Sequence, residues 1–440
     1  MNVEVIALIV LVAVFAISAI RNIHMGALAL VAALIVGVLI VGESFDDVLG
    51  GFPVDALLIL LGITYLFGIA RETGTIDWLV DRSVRLIGDR VALIPWAMFV
   101  IGTLVACLGT SHAAFTIVPI AMSLAAKHRI HSTMMGIVMS SAIVGGALAP
   151  TSINGITVMT VARTAGIDYN PGLMFGLSVG INTLVVLVAF FMFGGRELMT
   201  RRRTALAASV AAGNGSGAAG GTGGTAVLTE TVLKPLTGYQ AIVLASIPVL
   251  VIGFFTITLL DIDLNLGAVA LTLALVLAFI KPDVGRKAMT RIDWGTILLL
   301  GGIITYVGVL TRLGAIDQLG EAARSVNEPL IAAFVICVIA GLVSAFASTI
   351  GILGALIPLA VPLLVPGGGL EMTGFIFALA ISASLVDCAP FGTTGATIVA
   401  SGVEEERPRL YRHLMAWGLS MVIIGPVVTI GLFVIPFLGG

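Results

Sequence analysis

Four short stretches carry most of the polar chemistry inside the apolar part of this chain. They are Gly109-Thr110-Ser111-His112-Ala113, Ala149-Pro150-Thr151-Ser152-Ile153-Asn154-Gly155, Ala347-Ser348-Thr349, and the run from Asp387 through Pro390 and Gly392 to Thr393, Thr394 and Ala396. Hydroxyl, amide and carboxylate oxygens interspersed with Pro and Gly suit ion coordination. A Pro inside a helix removes a backbone donor and frees carbonyls. The half-helix that starts after such a break attracts anions at its N-terminus, and the freed carbonyls attract cations. Asp387 is the carboxylate of the set, and a carboxylate deep in a span costs at least about 2.5–3.5 kcal/mol, so it is read as a cation ligand, with structural pairing as the alternative. His112 either touches a substrate or carries a proton, or is a neutral imidazole bonded to a carbonyl. An intramembrane hydrolase would need Ser and His to share a proton across space, whereas Ser111 and His112 are adjacent in sequence.

The elements that position these stretches follow from composition. With 59% hydrophobic and 10% charged residues and a mean hydropathy of +1.15, the chain is expected to be a polytopic, all-α integral membrane protein. The net charge of −2 gives no sign of nucleic acid as a partner. Cys107, Cys337 and Cys388 lie far apart in apolar runs and read as small buried hydrophobes. Residues 196–238 form the long polar stretch, whose Gly- and Ala-rich centre predicts a flexible cytoplasmic linker between an N-terminal repeat, 1–195, and a C-terminal repeat, 239–440. A shift of 240 positions lays "GITYLFGIARETGTID" (62–77) on "GIITYVGVLTRLGAID" (302–317) and Pro150 on Pro390. This is the mark of an internal duplication.

Full spans are expected at 3–20, 25–42, 54–70, 132–162 and 172–194, then 239–260, 265–280, 294–311, 372–400 and 410–436. The fourth of each half, 132–162 and 372–400, is the broken one. Between Arg90 and Lys127 lie 36 residues with no Asp, Glu, Lys or Arg, flanked by basic residues at both ends. Such a segment must enter and return, a re-entrant hairpin over 91–126 with a counterpart over 329–366. Five spans per half invert one repeat relative to the other. All of the 22 Lys and Arg except Arg163, Arg312 and Arg324 then fall in cytoplasmic loops, and both termini face outward, as in a multi-pass protein of the cell (inner) membrane.

The tip Thr110-Ser111-His112, the break Pro150-Thr151-Ser152-Ile153-Asn154, and the later Ser348-Thr349 and Pro390-Phe391-Gly392-Thr393-Thr394 resemble the divalent-anion:sodium symporters. The first 150 or so residues are similar to the malonate-type dicarboxylate carriers. The resemblance implies sodium-coupled symport of a small dicarboxylate, malonate or a C4 diacid, by an elevator-type homodimer embedded in lipid. It assigns Thr110, Ser111, His112, Thr151, Ser152, Asn154, Ser348, Thr349, Thr393 and Thr394 to the substrate. Sodium ions, the coupling ions, would lie at Thr110, Ser111, Pro150, Asn154, Ser348, Thr349, Asp387, Pro390 and Gly392. In that family each tip commonly reads Ser-Asn-Thr; His112 stands about where the first Asn is expected, and Ile350 or Gly351 where the second is.

One observation bears on mechanism independently of the resemblance. No Lys or Arg falls at mid-span, so the two charges of a dicarboxylate must be offset by bound cations and helix N-termini. A sodium/proton antiporter with Asp387 and His112 as titrating groups is the alternative transporter.

Overall fold

The computed structural model describes residues 3–21, 23–85, 91–107, 113–200, 235–259, 264–315, 329–346, 349–364 and 372–435, and they are helical with no strand among them. Apolar runs take this form because a backbone in lipid must satisfy its own hydrogen bonds. The first half comprises α1 (Val3–Arg21), α2 (Met25–Leu34, continuing as π-helix over Ile35–Val41), α3 (Phe45–Gly50), α4 (Val54–Glu72), α5 (Thr75–Arg85), α6 (Leu93–Cys107) and α7 (Ala113–Lys127), then α8 (Ser132–Ala147), α9 (Ile153–Thr164), α10 (Pro171–Met192) and α11 (Gly195–Thr200). The second comprises α12 (Gly238–Leu259), α13 (Leu266–Ile280), α14 (Pro282–Met289), α15 (Trp294–Arg312), α16 (Pro329–Phe346), α17 (Thr349–Leu364), α18 (Met372–Leu385), α19 (Thr393–Ser401) and α20 (Arg407–Phe433).

Among the described residues five helical segments are long and apolar enough to cross a membrane alone: Val54–Glu72, Pro171–Met192, Trp294–Arg312, Met372–Ser401 with its interruption, and Glu404–Phe433. Other expected spans fall on shorter apolar helices, including Met25–Val41, Leu266–Ile280 and Ser132–Ala147. The last of these is short because the span that starts at Ser132 is interrupted at the break.

The packing is reciprocal between the halves. α4 lies on α13, and α2 lies on α15. Both crossings are close. A β-carbon on Gly302 would sit 1.9 Å from Gly26 O, and one on Gly267 would sit 2.3 Å from Leu58 O, so only glycine lets these backbones meet. The same crossed relation recurs around the breaks, with α7 against α19 and α9 against α17. Within each half α8 packs on α6 and α10, as α18 packs on α16 and α20. Among the described residues, ion pairs Arg312–Glu43 and Arg291–Glu72 cross between the halves. Arg312 at the end of α15 grips both oxygens of Glu43, at 2.8 and 3.0 Å, and Arg291 donates to Glu72 at the end of α4 at 2.8 and 2.9 Å.

Candidate functional site

The first break is a tight turn between α8 and α9. Ala149 N–H donates to Gly146 O at 3.0 Å and Ser152 N–H to Ala149 O at 2.9 Å, which turns the chain and restarts the helix. Ser152 is the N-cap of α9. Its hydroxyl accepts from Gly155 N–H at 3.4 Å and donates back to the carbonyls of Ala149, at 2.9 Å, and Ala147. Thr151 donates to Cys107 O at 2.6 Å, tying the break to the last residue of α6. Pro150, Thr151 and Ser152 are buried and Asn154, in the first turn of α9, is half-buried.

The second break has the same backbone plan and different side chains. α18 passes into a single 3-10 turn, Val386–Cys388, and Gly392 N–H donates to Ala389 O at 3.1 Å. Gly392 caps α19 without a side chain. Thr393 is exposed, Thr394 and Pro390 are buried, and Phe391 is 44% exposed. A β-carbon on Gly155 would lie 2.0 Å from Ala149 O, and one on Gly395 would lie 2.2 Å from Ala389 O. These glycines, 240 positions apart, let each half-helix restart against the carbonyl of the turn before it.

Asp387 is where the breaks diverge. Its Oδ1 accepts from Thr349 Oγ1 at 3.0 Å. Thr349 is the first residue of α17 and its Oγ1 lies 2.7 Å from Ser344 Oγ, in the last turn of α16. Because Thr349 has one proton and gives it to the carboxylate, Ser344 is the donor to Thr349. The three residues form one directed chain from α16 through α17 to the break. The 3-10 turn that holds Asp387 also packs on α8, bringing the two breaks together. Within both breaks there is neither Lys nor Arg.

Of the residues singled out in the sequence, Thr110, Ser111, His112 and Ser348 lie outside the described residues. Thr349 and Asp387 are in direct contact. Thr151 and Ser152 have their hydroxyls on backbone carbonyls, and Thr393 accepts from Thr397 at its carbonyl at 2.7 Å. Ser344 was not singled out; its signal is a hydroxyl five positions before Thr349, across a helix end. Among the described residues no group of three or more His, Cys, Asp or Glu could hold a metal. A surface pocket lined by Arg129, His131, Glu197 and Glu406 opens at the other end of α8 and is separate from the breaks.

Residues 1–148 match the family model of the N-terminus of the dicarboxylate carrier protein MatC. The crystal structure of the Alcanivorax borkumensis YdaH transporter, described as having an unusual topology, has a similar fold: the TM-score is 0.56 at 13% identity, over 88% of this chain and 87% of that one. No curated protein matches the chain.

Proposed function

We propose that this transporter moves a small dicarboxylate, malonate or a C4 diacid, across the cell membrane together with sodium. The observation that carries the reading is the charge balance at the breaks: two half-helix N-termini and no Lys or Arg, with a carboxylate, Asp387, that accepts from the Thr349 hydroxyl. The N-termini of α9 and α19 receive the substrate carboxylates, with Asn154, Thr393 and Thr394 beside them, and the sequence adds Thr110, Ser111 and His112 to the substrate contacts. Thr151 and Ser152 hold the turn in shape and present its backbone. Sodium occupies the carbonyl ends of α8 and α18, with Asp387, Thr349 and Ser348 on the second-half ion. A bound cation lets Asp387 and the dianion coexist in a low-dielectric site, and this couples the two solutes.

The two halves form an inverted repeat; the reciprocal packing of α2 with α15, α4 with α13, α7 with α19 and α9 with α17 supports it. An elevator movement in a homodimer, with both termini outside the inner membrane, completes the reading. Counterflow of labelled malonate in proteoliposomes tests it, with sodium replaced by choline in a parallel set. Sodium-dependent exchange is expected. Equal exchange in choline would overturn the coupling, and exchange of sodium for protons without malonate would establish the antiporter.

A further inference from the structure

The turn between α7 and α8 gathers titratable side chains away from the breaks. Four residues, His128 to His131, join the two helices. Ile130 N–H donates to Ala125 O at 2.8 Å and Arg129 N–H to Ala126 O at 3.2 Å, a helix-closing pattern in which one residue takes the left-handed conformation. That residue is Arg129, at φ 50, where glycine is the usual choice. His131 then caps α8 with its ring. Its Nδ1 accepts from Thr133 N–H at 3.2 Å, which requires Nδ1 to be unprotonated and puts the proton of the neutral ring on Nε2.

The buried Thr133 has its Oγ1 3.0 Å from Nδ1 of His413 on α20. The imidazoles of His131 and His413 stack, with 6.3 Å between centroids and 21° between planes. The Phe193 ring at the end of α10 packs against both, at 5.1 and 6.2 Å. Beside them Ser132 Oγ donates to the carboxylate of Glu406, in the 3-10 turn that leads into α20. Three consecutive residues, 131–133, thus tie the start of α8 to the start of α20.

Protonation opposes this arrangement. An imidazolium carries N–H on both nitrogens, so Nδ1 would face Thr133 N–H donor to donor and the first turn of α8 would lose its cap. A positive charge at a helix N-terminus also opposes the helix dipole. The charged and titratable groups around the ring are Arg129 on its own turn, Glu197 on α11, Glu406 before α20, and Arg409 and His413 on α20. Desolvation of its packed face and the neighbouring His413 hold His131 below the usual histidine range; Glu406 opposes this and Arg409 adds to it. The residue is exposed and lines the surface pocket, so protons reach the ring from water.

We propose that His131 is a proton sensor: neutral, it locks the α7–α8 turn to α20, and protonated, it drops the cap, turns toward Glu406 and releases the start of α8. The first break lies at the other end of α8, so the sensor sets how firmly that break is supported. The proposal is independent of which solute the breaks bind. The stability that the cap supplies is present above about pH 6.5, the ordinary histidine value, and is lost as the pH falls below it, because the unfolded chain then binds the proton more readily.

The test is hydrogen exchange of peptides covering residues 128–140 in the full-length protein, compared between variants at one pH, beside melting curves at pH 8 and pH 5.5. His131→Asn supplies an amide oxygen as cap and does not titrate. At pH 8 it is expected to match wild type in both measurements. At pH 5.5 its peptides are expected to exchange about threefold or more slowly than those of wild type, as loss of a cap implies, and its melting midpoint to lie several degrees higher. His131→Ala, with no cap at any pH, is expected to exchange faster than wild type at pH 8 and equally at pH 5.5. His24→Asn is the control, since His24 is the N-cap of α2 and makes no cap bond there; it is expected to follow wild type throughout. Should the His131 variants not fold, His413→Asn decides the matter: removing the neighbouring imidazole brings His131 nearer its ordinary value, so the acid loss should be shallower than in wild type. Equal exchange of wild type and His131→Asn at pH 5.5, or an unchanged acid loss in His413→Asn, would overturn the sensor.

Discussion

The two breaks share a backbone and differ in what their side chains do. At the first, Ser152 and Thr151 turn inward and satisfy carbonyls of the break and of α6. At the second, the corresponding positions are Gly392 and Phe391, which provide no such bonds, and the polar contact comes from outside the break, through Thr349 to Asp387. The first break is therefore bonded within itself and to the end of α6, and the second is joined to the helix pair α16 and α17. The backbone geometry that lets a half-helix restart recurs 240 positions on, while the electrostatics of the two breaks differ.

The largest expected effect tests the shared backbone. Gly155→Ala and Gly395→Ala each drive a β-carbon into a carbonyl oxygen closer than any van der Waals contact, and overpacking against backbone costs about 1–3 kcal/mol or more. Both variants should lose most of their monodisperse protein in size-exclusion profiles of a fluorescent fusion. A variant at one position that behaves like wild type would show that the two turns are not equivalent.

The next effect tests the difference. Asp387→Asn should raise the sodium midpoint of uptake at least tenfold, about 1.4 kcal/mol, while dicarboxylate affinity at saturating sodium is held or improved. An unchanged midpoint with weakened dicarboxylate affinity would remove Asp387 from the cation. Thr349→Val takes one hydrogen bond from the carboxylate and leaves its charge, so a smaller shift of roughly three- to tenfold is expected, consistent with about 1 kcal/mol. Thr349→Ser should restore it. On the Asp387→Asn background Thr349→Val should add little, because the two residues act as one unit; full additivity in sodium titrations would break the link between α17 and the break.

The smallest effect concerns the caps. Ser152→Ala should lower thermal stability by about 0.5–2 kcal/mol. Gly392→Ser should raise it by a few tenths, roughly the advantage of a Ser cap over Gly, because Gly392 sits at φ −83 and ψ 164, an extended conformation open to any residue. Melting curves of the purified variants measure both, and a destabilised Gly392→Ser would mean that the second break needs an uncapped N-terminus for another contact.

The amino-acid sequence by itself determined the membrane class, the apolar runs that became helices, and the placing of both breaks near Pro150 and Pro390. It did so because helix formation in lipid is local: each backbone group must find its partner within one turn, and a Pro among small residues marks where it cannot. The 240-residue offset and the isolated carboxylate at Asp387 were legible for the same reason, being features of the chain read in order. Only the tertiary structure decided which oxygens were engaged. A Ser or Thr hydroxyl in a helix can bond the carbonyl three or four positions back or a group on a facing helix at similar free energy. Thr64 does the former, donating to Leu60 O at 2.7 Å, and Thr151 the latter, reaching Cys107. The pairing of Thr349 with Asp387, the part of Ser344 behind it, and the stacking of His131 on His413 all depend on which helix lies opposite, and that is fixed by packing between segments far apart in the chain.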